Sequence, residues 1–364
     1  MYVRLYMGPV VEEMVHVPVS FQRLWPICIL VLVTTLFLIY TVLNLMKNPS
    51  TGSFNLRKIT SGRNCSTTEC LAIDHSVVTN NINFSFDFRG LDVDKLLYNR
   101  APKCGSTTIY SIMQKLSVDL GYQHYNSKIY NKKLLDESQQ RRFVKRVKRM
   151  PSPCSFDRHV FFVNFSQFGE TSPLYINVVR DPVERIVSSY FYRRAAAKRR
   201  ANQGRPNEYW MNKNFEQCVL SSDPECTFID GGIYSVLLLP YFCGQDRRCL
   251  IHNHPWALWQ AKQNIQRFYP VVGVLEDMNT TLIVLENTLP RFFRGAFKLY
   301  HNTEIRRNQN TRKKEVAEEI KDVLRANLTA EYELYFFIQR RLRQQLHDIQ
   351  MKNKEKKYVK SKIK

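Results

Sequence analysis

Two stretches of this 364-residue chain constrain its fold more than anything else in it. Residues 96–110, LLYNRAPKCGSTTIY, and residues 174–190, LYINVVRDPVERIVSSY, are built alike. Each starts as a short apolar or β-branched run of strand length, crosses a few polar residues, and continues with helical spacing. The first helix is expected to stop at Gly121. The second starts with Asp181 as cap, Pro182 in the first turn and Glu184 three residues past the cap. Further strands are expected at 158–165, RHVFFVNF, and 268–276, FYPVVGVLE. Residues 313–349 read as mostly helical, with a break near 327–329. Strands separated by helical stretches predict an α/β fold: a central parallel sheet flanked by helices.

The ends of the chain carry other signals. Residues 27–46, ICILVLVTTLFLIYTVLNLM, are uncharged and long enough to cross a bilayer as a helix. No small-residue cleavage site follows, so an uncleaved signal anchor is expected, with a buried core helix as the alternative. The organisation that results is a cytosolic tail at 1–26, an anchor at 27–46, a lumenal stem at 47–92, a folded domain at 93–350 and a basic tail at 351–364. Acceptor sequons occur at Asn64, Asn83, Asn164, Asn279 and Asn327. Cys218 and Cys226 are close in sequence, as are Cys243 and Cys249, and Cys65 and Cys70. Short local loops of this kind suit disulfides in an oxidising lumen. The net charge of +22 calls for a polyanionic partner, and a lumenal setting points to an acidic glycan rather than nucleic acid.

The loop at 100–108 has the chemistry of an anion site. A strand, a tight turn and a helix N-terminus bring backbone N–H groups and the helix dipole to one place. Gly105 allows close approach, Ser106, Thr107 and Thr108 add donors, and Lys103 adds a charge. The order of residues is neither a Walker A loop nor G-x-G-x-x-G. PKCGSTT resembles instead the 5′-phosphosulfate loop of sulfotransferases that use 3′-phosphoadenylyl sulfate (PAPS). The R-D-P segment, with Arg180 at the strand end and Ser188 two turns into the helix, resembles the 3′-phosphate site of the same enzymes. With DRHVFFVNFSQFG, LPYFCGQDRRC and LPRFFRGAFKLY, the similarity extends over residues 95–345. It is to the uronosyl 2-O-sulfotransferase family, on the branch of uronyl 2-sulfotransferase and the insect Pipe proteins.

That resemblance implies a PAPS-dependent sulfotransferase fold and a metal-free transfer of sulfonate to a uronic acid 2-hydroxyl. It places the catalytic base at His159, with Lys103 neutralising charge on the sulfonate and departing oxygen. Lys103, Cys104, Gly105, Ser106, Thr107, Thr108, Arg180 and Ser188 would hold the donor, joined by Arg306 and Arg307 from a basic C-terminal loop. It implies the pairs Cys218–Cys226 and Cys243–Cys249, and a homo-oligomer, a trimer in the family. Two positions depart from the pattern. Asp157 stands where the heparan branch has a second His, and Phe161 where the uronyl branch has one. Cys104 follows Lys103 as in the uronyl branch and reads as a loop-packing residue.

On the acceptor side, Arg100, Arg193 and Arg194 are expected to meet the glycan. The basic run 141–150, RRFVKRVKRM, has Phe143, Val144 and Val147 on an inner stripe, and reads either as a glycan contact or as a solvated face. The reading as a whole is a type II Golgi membrane sulfotransferase acting on dermatan or chondroitin sulfate. Its alternatives are another glycan of secreted glycoproteins, or a non-catalytic lumenal binder of acidic glycans.

Overall fold

The computed structural model describes residues 86–199, 207–302 and 315–362. The expected cytosolic tail, anchor and most of the stem lie outside these residues, as do Asn64, Asn83, Cys65, Cys70, Arg306 and Arg307. Among the described residues, no helix is long and apolar enough to cross a membrane.

Five strands form one sheet in the order β2-β3-β1-β4-β5: β1 Leu91–Tyr98, β2 Gln123–Asn126, β3 Cys154–Asp157, β4 Ser172–Val179 and β5 Val271–Val274. All pairings are parallel. Among the described residues, seven longer helices accompany it: α1 Ser106–Asp119, α2 Glu137–Lys148, α3 Pro182–Arg199, α4 Pro255–Phe268, α5 Met278–Thr288, α6 Glu318–Asn327 and α7 Thr329–Lys362. The break between α6 and α7 falls where the sequence places it. Helix α7 then continues through most of the segment expected as a basic tail.

Register decides where the loops emerge. Tyr98 pairs with Asp157 on one side and with Ile176 on the other, and Val179 pairs with Val274. The loops after β1, β3, β4 and β5 therefore leave the same edge of the sheet. From β1 the chain crosses toward β2, and from β4 it crosses the other way toward β5. The crevice between β1 and β4 is thus a topological switch point, the position where open α/β sheets bind ligands.

One expected strand is corrected. Residues 158–165 are not a strand; β3 occupies 154–157 and the chain then runs irregularly into a 3₁₀ turn at Phe165–Phe168. Val160, Phe161, Phe162 and Val163 are all buried, so burial alone accounts for their apolar character. Their main chain bonds to loops: Phe161 N–H donates to Lys133 O at 3.2 Å, and Gln245 Nε2 donates to Phe161 O at 2.9 Å. A short buried run has no periodicity to separate a strand from an irregular core segment. Strands β2 and β3 carry no clear sequence signal, whereas the inner stripe of Phe143, Val144 and Val147 is that of helix α2. The core of the sheet is one large apolar cluster. A smaller cluster under α3 contains the Cys218–Cys226 disulfide. Cys243–Cys249 is the second disulfide, so both expected pairs form, while Cys104 and Cys154 are free and buried.

Candidate active site

The loop after β1 is fixed before it turns. Asn177 of β4 donates to Asn99 O at 2.7 Å and accepts from Ala101 N–H at 3.3 Å. Tyr269 OH donates to Asn99 Oδ1 at 3.1 Å. Lys103 and Gly105 then both adopt left-handed backbone, with φ of 67° and 71°. Gly105 ends in contact with Leu275: a Cβ there would stand 2.6 Å from Leu275 Cδ1. Thr108 and Ile109 N–H bond back to Gly105 O, and no side chain caps α1. An uncapped helix start leaves its first N–H groups for another acceptor. Cys104 is buried under the turn, and burial pushes its thiol up to about 12, in keeping with a packing role.

Cations gather over this turn. Lys103 is half-buried, and its ammonium lies 4.0 Å from the centroid of the Tyr192 ring on α3. Its pKa is lowered, first by burial and then by Arg180 and Arg199. Arg180 Nη1 donates to Lys103 O at 3.5 Å, and its guanidinium lies 3.4 Å from Glu184 and 4.0 Å from Glu276. Asp181 caps α3 by accepting Glu184 N–H at 2.9 Å, and Tyr332 OH donates to its carboxylate at 3.0 Å. Glu184, Ser188 and Tyr192 follow at intervals of four, on one face of α3. The first meets Arg180 and the last meets Lys103, so Ser188 stands between the two cations. An uncapped helix N-terminus beside mutually repelling cations fits a ligand with two separate anionic ends.

The base expected at His159 sits beside Arg100. His159 Nδ1 donates to Arg100 O at 2.8 Å, since a carbonyl can only accept. That leaves Nε2 as the free lone pair. Burial first, and the Arg100 charge second, push the His159 pKa down to about 4. Arg100 is itself held: Nη1 is 2.9 Å from Asp157 Oδ1, and its guanidinium faces the Tyr110 and Tyr130 rings. Asp157 also accepts Asn126 Nδ2 at 3.1 Å. His124 Nε2 lies 3.2 Å from Asp157 Oδ2, though not aligned for a hydrogen bond, while its Nδ1 meets Ser155 Oγ at 2.7 Å.

One expectation changes. Arg194 does not face an acceptor: it is buried, bonded to Glu225 at 3.1 and 3.0 Å, and stacked on Tyr190 and Trp210. Arg193 shares that carboxylate at 3.4 Å. Arg100 pairs its guanidinium with Asp157 and offers its main-chain carbonyl to His159. Phe161 is fully buried against Tyr241.

Asn279 is exposed, and Asn164 and Asn327 are half-buried. Cys218, Asp223 and Glu225 lie close enough to suggest a metal cluster, but the sulfur is in a disulfide and the carboxylates are held by Lys213 and Arg194.

Three residues near the site carried no sequence signal. His124 lies on the polar strand QHYN. Lys133 is half-buried, with burial and Arg185 pushing its pKa down to about 8. Arg185 is fully buried, 3.8 Å from Glu331, whose carboxylate accepts Leu238 and Leu239 N–H.

A parallel sheet with an uncapped helix start and clustered cations at its switch point defines an open α/β fold suited to an anionic ligand. Residues 87–337 match the Sulfotransferase family, and the chain belongs to it. It is 35% identical to mouse uronyl 2-sulfotransferase over 269 residues, covering 71% of this chain and 63% of that protein. The Drosophila uronyl 2-sulfotransferase homolog pip is 33% identical over 270 residues, 69% of this chain and 52% of that protein. Xenopus laevis heparan sulfate 2-O-sulfotransferase 1 is 37% identical over 217 residues, 57% of this chain and 58% of that one. The chain thus matches less than two thirds of the length of these relatives.

Proposed function

We propose that the protein transfers a sulfonate from PAPS to the 2-hydroxyl of a hexuronic acid in a glycosaminoglycan. The observation that carries this reading is the pairing of the Lys103–Thr108 turn with Arg180 and Ser188 beside His159. When bound, PAPS supplies the sulfonate and leaves as adenosine 3′,5′-bisphosphate. The first-turn N–H groups of α1 and the hydroxyls of Ser106, Thr107 and Thr108 hold its 5′ end. Arg180 and Ser188 hold the 3′-phosphate, with Arg contributing charge-assisted bonds. Lys103 neutralises charge where it develops. His159 Nε2 takes the proton of the attacking sugar hydroxyl, and Arg100 O keeps that nitrogen free. No step calls for a metal.

Dermatan or chondroitin sulfate is the proposed acceptor, on the branch similarity to uronyl 2-sulfotransferase. A type II Golgi position rests on the apolar segment 27–46 and the sequons, and a homo-oligomer on family likeness.

The test uses the full-length chain in detergent with sulfur-labelled PAPS and desulfated dermatan, chondroitin and heparan chains, followed by disaccharide analysis. Label on the uronic acid 2-position, lost in His159→Ala and Lys103→Ala, is the expected result. Absence of label with every chain, together with no binding of adenosine bisphosphate, would leave a non-catalytic glycan binder as the reading.

A further inference from the structure

Helix α2 carries a charged surface that the reaction does not use. From Lys128 to Arg149 the chain has nine basic and two acidic residues. The helix is firmly placed. Asp136 and Gln139 form a reciprocal capping box at its start, and Phe143, Val144 and Val147 bury its inner stripe. Phe143 packs on Phe156 of β3 and on Phe165, at 6.0 and 6.2 Å between ring centroids.

Its outer face is almost purely cationic. Arg142, Lys145, Arg146 and Arg149 are spaced i, i+3, i+4 and i+7, and all four are exposed. None has an acidic partner within salt-bridge distance among the described residues. The flanking Arg141 and Lys148 do, with Glu137 at 3.0 Å and Glu170 at 3.5 Å. The face spans roughly 10 Å of helix at about 1.5 Å per residue. Aromatic rings pre-orient guanidinium groups on the face and beside it: Arg146 lies over Phe156 at 5.7 Å, and the flanking Arg141 over Phe168 at 5.3 Å.

The face is continuous with the site. Arg158, the neighbour of His159, donates to Lys132 O at 3.2 Å and places its guanidinium 5.4 Å from the Phe143 ring. Arg146 is close enough to lower the Arg158 pKa further, after burial. Because α2 links parallel neighbours, it runs antiparallel to them and its N-terminal end lies at the sheet edge where His159 emerges.

We propose that this face is an exosite for the acceptor polymer, binding carboxylate and sulfate groups of the glycan away from the sugar that reacts. The proposal rests on the function proposed above, and charge complementarity selects the occupant. A linear polyanion reaching from His159 along α2 meets one cation after another. Binding of this kind is governed by counterion release and depends on the length of the polyanion. The exosite therefore acts on long chains and leaves short acceptors untouched.

The test is the triple variant Arg142→Ala, Lys145→Ala, Arg149→Ala in the full-length chain. Alanine maintains the helix. Calorimetry with desulfated dermatan polymer and with a tetrasaccharide, at several salt concentrations and with adenosine bisphosphate present, reads binding without turnover. The expected result is about tenfold weaker polymer binding, a salt slope reduced by about two, and unchanged tetrasaccharide binding. In transfer assays KM for the polymer rises by the same factor while kcat stays. Arg142→Lys with Arg149→Lys retains wild-type binding. Should wild type transfer no sulfonate and still show the length-dependent difference in binding, the activity reading fails and the exosite stands. Equal loss for polymer and tetrasaccharide, or no loss for either, overturns the exosite. So does a loss confined to phosphatidylserine vesicles, which assigns the face to a lipid surface.

Discussion

His159 and Arg100 are joined through a main-chain bond, with Nδ1 donating to the Arg100 carbonyl at 2.8 Å. The Arg100 side chain is in turn anchored on Asp157 at 2.9 Å. A buried carboxylate thus orients the His159 ring through another residue's backbone, leaving Nε2 as the nitrogen free to act as the base proposed above. The position that holds a second His in the heparan branch here holds the anchor.

The first prediction concerns protonation. His159 has its pKa pushed down to about 4 in the folded chain, against about 6.5 when unfolded. The unfolded chain therefore binds the extra proton between those values. Its contribution to stability rises with pH across that window and is flat above it. Ring titration of His159 by NMR in the ligand-free protein is expected to centre near pH 4. Asp157→Asn removes a charge that raises this pKa and should move the midpoint lower, with kcat falling more than donor affinity. A midpoint near 6.5 would contradict the half-buried placement beside Arg100.

Lys103→Ala is expected to lower kcat by about 10²- to 10³-fold, the effect of removing one donor aimed at developing charge. Single-turnover rates with saturating PAPS separate this from weakened binding. Lys103→Arg should recover only part of the loss, because a planar fork does not replace a point charge above Tyr192.

Gly105→Ala meets two obstacles: positive φ and a Cβ 2.6 Å from Leu275 Cδ1. The cost is about 1–3 kcal/mol, and adenosine bisphosphate binding should weaken with it. Adding Leu275→Ala relieves the clash but not the backbone strain. Denaturation midpoints should therefore show the double variant less destabilised than the sum of the two single effects.

Arg194→Ala should act on stability. It removes a buried guanidinium from Glu225, Tyr190 and Trp210, and a loss of about 3 kcal/mol is expected in urea unfolding. Arg193→Ala, half-exposed and at 3.4 Å from the same carboxylate, should cost under about 1 kcal/mol. Comparable losses for the two would refute the assignment.

Local chemistry alone settled much of this protein. Strand, turn and helix start follow one another within a dozen residues at Lys103 and at Arg180, and cap and glycine preferences act over that range. Cys218–Cys226 and Cys243–Cys249 are eight and six residues apart, close enough for spacing to suggest them. Tertiary structure decided what depends on distant partners. Only parallel register brings His124 of β2 and Arg100 after β1 onto Asp157 at the end of β3. Arg194 looked free for a glycan until Glu225, 31 residues on, folded back to it. Residues 158–165 looked like a strand because burial selects the same side chains whether the backbone bonds a neighbouring strand or, as here, Lys133 and Gln245. A charge or an apolar run shows in the sequence what it needs; which group answers that need is set by packing between segments far apart in the chain.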